Sequence, residues 1–92
     1  MELRWTLHAL DDLDEAGQYV AADKPEAAAS LARRVRESVE YLLVHPNLGR
    51  QGRLRGTREM VVSGSPFIVV YRVRGDQIQI LRLLHHARNW PR

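Results

Sequence analysis

The chain has 92 residues, 45% of them hydrophobic and 27% charged, which is ordinary for one globular domain. It has no cysteine, so disulfide bonds and thiolate metal sites are excluded, and no apolar run is long enough to cross a membrane. The formal net charge is +3. With no apolar export signal at the N-terminus, residues 1–92 are expected to form one cytoplasmic domain.

The first predicted elements are a short strand and a helix. Residues 3–8 alternate between apolar and polar side chains and include Trp5, which predicts a strand, and Thr6 is placed to cap the following helix. The apolar side of this helix steps through Leu10, Leu13, Gly17 and Val20. Its opposite, solvent-facing side is predicted to hold Asp11, Asp12, Asp14 and Glu15.

A second, longer helix follows after a few residues. Asp23 is predicted to cap it, Pro25 suits its first turn, and it should end before Pro46. Its apolar side steps through Ala28, Leu31, Val35, Val39 and Leu42. Because the connection is short, the two helices should form an antiparallel hairpin.

Three strands are predicted after the connection at residues 47–56. They cover residues 57–62, 67–73 and 77–85, and Gly75 suits the first central position of a tight hairpin turn. The last strand is apolar on both sides, which is typical of a central strand or of one with a bulge. The order β-α-α-β-β-β predicts an α+β fold, an antiparallel sheet with the helical hairpin packed on one face. The second helix should then face Val69, Tyr71 and Ile80.

Charge is unevenly distributed. Residues 1–32 carry seven acidic and two basic residues (−5), whereas residues 33–92 carry four acidic and twelve basic ones (+8). Charge on the second helix should be neutralised by i,i+4 pairs, Arg33–Glu37 and Arg36–Glu40. Four arginines within nine residues lack such partners: Arg50, Arg53, Arg55 and Arg58. They indicate an acidic protein segment or phosphate as partner, although a solvated basic surface explains them equally.

Short stretches along the chain occur in a characteristic order. They are "WT..A..DL" (5–13), "YV" (19–20), "D.P.AA" (23–28), "GR" (49–50), "GTREMVV" (56–62), "VVYRV" (69–73), "I.ILRLLH" (78–85) and "ARNWP" (87–91). Together they resemble the RelE/ParE superfamily of bacterial toxins over almost the whole chain. The resemblance implies a toxin neutralised by a ParD-like or other DNA-binding antitoxin, whose C-terminal segment wraps it. RelE-like members cut messenger RNA on the ribosome, whereas ParE-like members poison DNA gyrase without recognised catalytic residues.

The cations that the nuclease branch uses are largely missing here. An ungapped match to RelE places Glu59 and Val61 at its strand lysines, and Ile68 at its central phosphate-binding arginine. Only Arg88 matches the remaining cation. An acid and two aliphatic side chains cannot stabilise the charge that develops on phosphate during RNA cleavage.

Two adjacent histidines are the remaining candidates for acid–base catalysis. His85 or His86, with Arg58 and Arg88, would form a nuclease site, since histidine titrates near neutrality. Adjacent strand residues point to opposite faces, so at most one histidine reaches a shared site. A histidine that caps a strand end explains both without catalysis. The histidines are too scattered for a metal site, and we expect neither a metal nor a cofactor.

The C-terminal "ARNWP" is interpreted as a contact surface. Arg88 and Trp90 belong to the residue types that dominate interface hot spots, although Trp90 packed back on the sheet is an equal alternative. We therefore predict a ParE-like toxin that binds DNA gyrase. The target-binding candidates are Arg50, Arg53, Arg55, Arg58, Arg88 and Trp90. We expect no direct DNA binding by the toxin, because no helix combines basic and base-reading residues, and no membrane contact.

Two alternatives to this function stay open. The first is a RelE-like, ribosome-dependent messenger RNA endoribonuclease that uses His85 or His86 with Arg58 and Arg88. The second is a decayed module that retains antitoxin binding and has no target.

Overall fold

The computed structural model describes residues 1–86. Within these residues, two helices and five strands follow one another: β1 (Glu2–Trp5), α1 (Leu7–Asp23), α2 (Pro25–Val44), β2 (Arg50–Gln51), β3 (Arg58–Val61), β4 (Phe67–Arg74) and β5 (Gln77–His85). The helices pack on one side of the sheet, which confirms the predicted α+β arrangement. Within residues 1–86, neither helix is long and apolar enough to span a membrane.

The sheet has the strand order β1-β5-β4-β3-β2 and is mixed. The strands β2 to β5 form an antiparallel meander, but β1 pairs in parallel with β5. The predicted antiparallel sheet is confirmed for β2 to β5. The parallel pairing of β1 was not predicted, because alternation indicates which side of a strand is buried and carries no information on its direction. The two-residue strand β2 lies inside the predicted connection at residues 47–56 and was not predicted. A strand of two residues is too short to show the apolar–polar alternation by which strands are recognised.

Strand β5 is the most accurately predicted element. Its bounds match the prediction, it lies between β1 and β4, and its register with β4 shifts between Val70 and Tyr71. Leu81 has no partner in that register, so the strand is both central and bulged, as its two apolar sides indicated. Gly75 has a φ of +56° in the two-residue turn that joins Arg74 to Gln77, and this conformation favours glycine.

Helix α2 follows its prediction closely, apart from its cap. Its buried side chains are Leu31, Val35, Val39 and Leu42, and they share one core cluster with Val69, Tyr71 and Ile80. The N-cap is Lys24, and Asp23 is instead the last residue of α1. Pro25 occupies the first helical turn, where its missing N–H costs nothing, and it restarts the helix without a side-chain cap.

Helix α1 is capped as predicted but turned differently on the sheet. The Thr6 hydroxyl accepts a hydrogen bond from the Ala9 amide at 3.1 Å. The buried residues are Ala9, Asp12 and Ala16, whereas Leu10, predicted to face the core, is 44% exposed. Two small alanines let the helix approach the sheet closely. Burial of Asp12 contradicts its predicted exposure and depends on a partner on β5.

Candidate functional site

An apolar groove runs between α1 and the end of the sheet where β5 finishes. Its volume is about 410 Å³. We call it the α1 groove, and it is lined by Asp12, Glu15, Ala16, Tyr19, Phe67, Leu83 and His85. Ala16, Phe67 and Leu83 form an apolar floor, while the Tyr19 side chain on the rim is 71% exposed. A floor of this kind suits the apolar side chains of a partner segment.

One wall of the α1 groove is held by Asp12. Its carboxylate accepts hydrogen bonds from Nε and Nη2 of Arg82, at 2.7 and 3.1 Å, and from the Leu83 amide at 3.0 Å. Thr6 donates from its hydroxyl to the carbonyl oxygens of Ile80 and Leu81. Asp12 and Thr6 thus provide hydrogen-bond partners for backbone groups of β5 at its bulge, beyond the end of β1. These bonds fix the position of α1, and with it the groove, on the sheet.

The candidate histidines lie at the mouth of this groove. The His85 ring meets Phe67 edge-on with centroids 5.5 Å apart, and the His86 ring lies 5.2 Å from that of His85. His86 is exposed, and its backbone amide donates to the Pro66 carbonyl oxygen. The position of His85 at a strand end, packed on an aromatic ring, fits a structural role.

Arg58 is not brought to the histidines. It pairs with Tyr71 on β4, whereas His85 pairs with Phe67, and four strand residues span about 13 Å. Its Nη1 donates to the carbonyl oxygens of Asn47 and Gly49, at 3.3 and 2.7 Å. Arg88 and Trp90, the other candidates of the C-terminal stretch, lie outside the described residues.

Glu59 organises part of the arginine-rich segment. Its side chain is 1% exposed, its Oε1 lies 3.5 Å from both Arg50 Nη2 and Arg53 Nε, and its Oε2 accepts from the Arg53 amide at 3.0 Å. The prediction that these two arginines lack local partners was therefore wrong, since β2 places Arg50 beside Glu59. We call these three residues the Glu59 cluster.

The remaining arginines differ from their predictions in smaller ways. Arg55 is exposed and, within residues 1–86, forms no ion pair. On α2, Arg33 pairs with Glu37 at 3.9 Å, but the predicted pairing of Arg36 with Glu40 does not form in the described part of the chain. Long side chains on an open helix surface gain little from such pairing.

Tyr71 fixes the segment that precedes the arginines. Its hydroxyl donates to the Pro46 carbonyl oxygen and accepts from the Gly49 amide, both at 2.8 Å. Burial raises the pKa of Tyr71 above 10, although the Gly49 amide and the charge of Arg58 act in the opposite direction. A Cβ on Gly49 would lie 2.7 Å from the Tyr71 ring, so only glycine permits this close approach.

Asp12 and Glu59 are the two residues whose roles the sequence did not indicate. Asp12 lies in an acidic run that favours solvent, and Glu59 lies in an alternating strand where either side is plausible. The only signal was the presence of arginines elsewhere in the chain, and it did not specify which arginine meets which acid.

Comparison with known proteins identifies the class. Residues 3–90 match the family described as "ParE toxin of type II toxin-antitoxin system, parDE". The chain is 43% identical over 89 residues to "Putative toxin Y4kP" of Sinorhizobium fredii, covering 97% of this chain and 92% of that protein. It is 33% identical over 84 residues to "Toxin RelE2" of Caulobacter vibrioides, covering 91% and 93%.

A solved structure agrees with this assignment. The "Chromosomal ParDE TA system from P. aeruginosa" contains a chain that superposes with a TM-score of 0.84 at 32% identity, covering 92% of this chain and 95% of that one. The chain therefore belongs to the ParE toxin family of type II toxin–antitoxin systems. Its relatives carry both ParE and RelE names, so their names do not identify the target.

Proposed function

We propose that this toxin arrests growth by binding DNA gyrase and that a cognate ParD-like antitoxin neutralises it. The Glu59 cluster carries the proposal. The resemblance to RelE assigns position 59 to a cation that cleavage requires, and here that position holds a buried carboxylate bonded to Arg50 and Arg53. An acid fixed in this way opposes charge stabilisation at a reacting phosphate. A protein that acts by binding needs no such cation.

The α1 groove supports antitoxin binding. Its apolar floor accepts hydrophobic anchors, and Glu15 and Tyr19 on its rim offer a carboxylate and an exposed phenol. The matching antitoxin segment would therefore carry apolar side chains with at least one lysine or arginine beside them. At the β3 edge of the sheet, Met60 and Val61 lie beyond the residues that pair with β2, so within residues 1–86 this part of the edge is uncovered. Val61 is 63% exposed. That edge offers a second place for an extended segment.

The target is tested by expressing the toxin alone in cells. We expect gyrase-trapped DNA breaks and intact transcripts. The double variant His85→Ala, His86→Ala should remain toxic, because binding needs no general acid or base, whereas deletion of residues 88–92 should remove toxicity with the loss of Arg88 and Trp90.

Each variant needs a melting curve first, since unfolding imitates loss of function. A folded histidine double variant that is harmless, together with cleaved transcripts and a toxic deletion variant, would establish the endoribonuclease instead. A catalytic histidine would contribute about 10²–10⁴ in rate.

The antitoxin site is tested with an exposed tyrosine inside the α1 groove and one outside it. Tyr19→Ser should weaken binding of the cognate antitoxin by ~10-fold or more, because aromatic anchors dominate interfaces. Tyr41 on α2 is 54% exposed and does not line the groove, so Tyr41→Ser is the matched control. Equal affinities of the two variants by calorimetry would place the antitoxin elsewhere.

A further inference from the structure

A second, polar cleft lies at the other end of the sheet from the α1 groove. It has a volume of about 400 Å³ and is bounded by the segment at residues 47–58 and by Val73. Phe67 in the groove and Val73 in this cleft are six residues apart on β4, about 20 Å along a strand. Among the described residues, the side chains that line this cleft include two arginines and no acid. We call it the loop cleft.

The Glu59 cluster separates the arginines that have a carboxylate partner from those that line the loop cleft. Glu59 forms ion pairs with Arg50 and Arg53, neither of which lines the cleft. Arg55 and Arg58 line it, and within residues 1–86 neither forms an ion pair with a carboxylate. One buried acid therefore divides four neighbouring arginines into a pair that shares its single negative charge and a pair that has no carboxylate partner within residues 1–86.

The geometry of Arg58 suits it to hold an anion. Both of its hydrogen bonds to backbone carbonyls use Nη1, so Nε and Nη2 keep donors for a ligand. The contacts to Asn47 and Gly49 hold the guanidinium in place before a ligand arrives, which lowers the entropy lost on binding. The amide side chains of Asn47 and Gln51 add neutral donors to the same cleft.

The charge of the loop cleft comes from two separate arginines. Arg55 is exposed and Arg58 is half-buried, and among the described residues no carboxylate lines the cleft beside them. A single carboxylate needs only one guanidinium, whereas two separate guanidinium groups with no acid among them match neighbouring phosphates of one chain. We propose that the loop cleft, with Arg55 and Arg58, binds phosphate groups of a DNA backbone.

This binding is independent of base sequence. Contacts to phosphate position a protein on DNA and need no helix in a groove, so the lack of a base-reading helix does not oppose them. If the toxin acts on gyrase as proposed above, the DNA held by that enzyme supplies the phosphates. The binding itself is measured without gyrase, so failure of one proposal is distinguishable from failure of the other.

The experiment measures anisotropy of a labelled DNA duplex with the isolated full-length toxin at several salt concentrations. The wild-type affinity should fall as salt rises. The variant Arg55→Ala should bind ~3-fold or more weakly, and the slope of log affinity against log salt should become shallower by about 0.9, the value for one lost phosphate contact. Arg58 is left unchanged because it also holds the backbone of the adjacent segment.

The control removes the same charge at a distance from the cleft. Arg36 lies on α2, is exposed and forms no ion pair in the described part of the chain, so Arg36→Ala should leave the affinity and the salt slope nearly unchanged. Equal losses in the two variants would show that binding depends on net charge alone and would overturn the site. A polyglutamate of matched charge that binds the toxin more tightly than DNA, and only when Arg55 is present, would assign the cleft to an acidic protein segment and overturn the proposal.

Discussion

Two carboxylates are buried within residues 1–86, Asp12 on α1 and Glu59 on β3, and they have partners of different kinds. Asp12 faces Arg82, whose side chain is only 17% exposed, and it also accepts from the Leu83 amide. Glu59 faces Arg50 and Arg53, whose side chains are 68% and 39% exposed. The first is a closed pair that joins a helix to a strand. The second holds a surface segment whose cations remain in contact with water.

This difference predicts unequal costs when the acids are removed. Removing one member of a buried pair leaves the other as an uncompensated buried charge, whereas an exposed arginine is simply rehydrated. Burial of the carboxylate alone therefore does not decide the energetic effect, because the exposure of its partner matters as much. The predictions below test this statement at Asp12 and Glu59, and they extend it to the buried Tyr71 on β4.

The largest effect is expected for Asp12→Ala. It removes the carboxylate that accepts from Arg82 and from the Leu83 amide, and it should lower the free energy of unfolding by about 3–5 kcal/mol. Urea titration measures this. The double variant Asp12→Leu, Arg82→Met removes both charges and should recover much of the loss, since apolar replacements of a buried pair are often neutral. If the double variant is less stable than Asp12→Ala, the pair is not the cause.

An intermediate effect is expected for Tyr71→Phe. The Gly49 amide and the Pro46 carbonyl lose their partner in a buried position, which should cost about 1–3 kcal/mol. Tyr41→Phe provides the control, because Tyr41 is 54% exposed. A cost below that of the control would show that the segment before β2 is held by other contacts, such as those of Arg58 with Asn47 and Gly49.

Tyr71 also predicts a dependence on alkaline pH. Its pKa is raised in the folded protein, so above the unfolded value of about 10 the unfolded chain loses its proton first. The tyrosine's contribution to stability is therefore complete below pH about 10 and is lost as pH rises toward the folded pKa. Stability of the wild type should fall more steeply in this range than that of Tyr71→Phe. The free energy of unfolding is measured by urea titration at several pH values. If it falls equally with pH in the wild type and in Tyr71→Phe, the raised pKa is contradicted.

The smallest effect is expected for Glu59→Gln. The amide still accepts from the backbone of Arg53, and both arginines can rehydrate, so the cost should be about 1 kcal/mol. The variant also removes a negative charge near the loop cleft and should strengthen DNA binding. Glu37→Gln, which removes an exposed partner of Arg33, should change stability by less than about 0.5 kcal/mol. A Glu59→Gln loss as large as that of Asp12→Ala would remove the distinction between the two acids.

Elements with a strong local pattern were predicted well. The apolar side of α2 has four residues at helical spacing and no competing arrangement, and β5 has two apolar sides bounded by a glycine turn. Helix α1 was harder, because Leu10 and Leu13 make an apolar side that differs from the one it buries. Its orientation follows from two alanines and Asp12, whose burial is favourable only once Arg82 lies beside it.

The candidate site shows the same division. The sequence determined that a basic segment follows the helices and that position 59 is an acid, since both facts are read from the residues themselves. Only the tertiary structure decided that Glu59 pairs with both Arg50 and Arg53 and that Arg55 and Arg58 line a cleft. Helical and strand periods arise from neighbours along the chain, whereas the partner of a charge depends on which distant segments the sheet brings together and how much water remains between them.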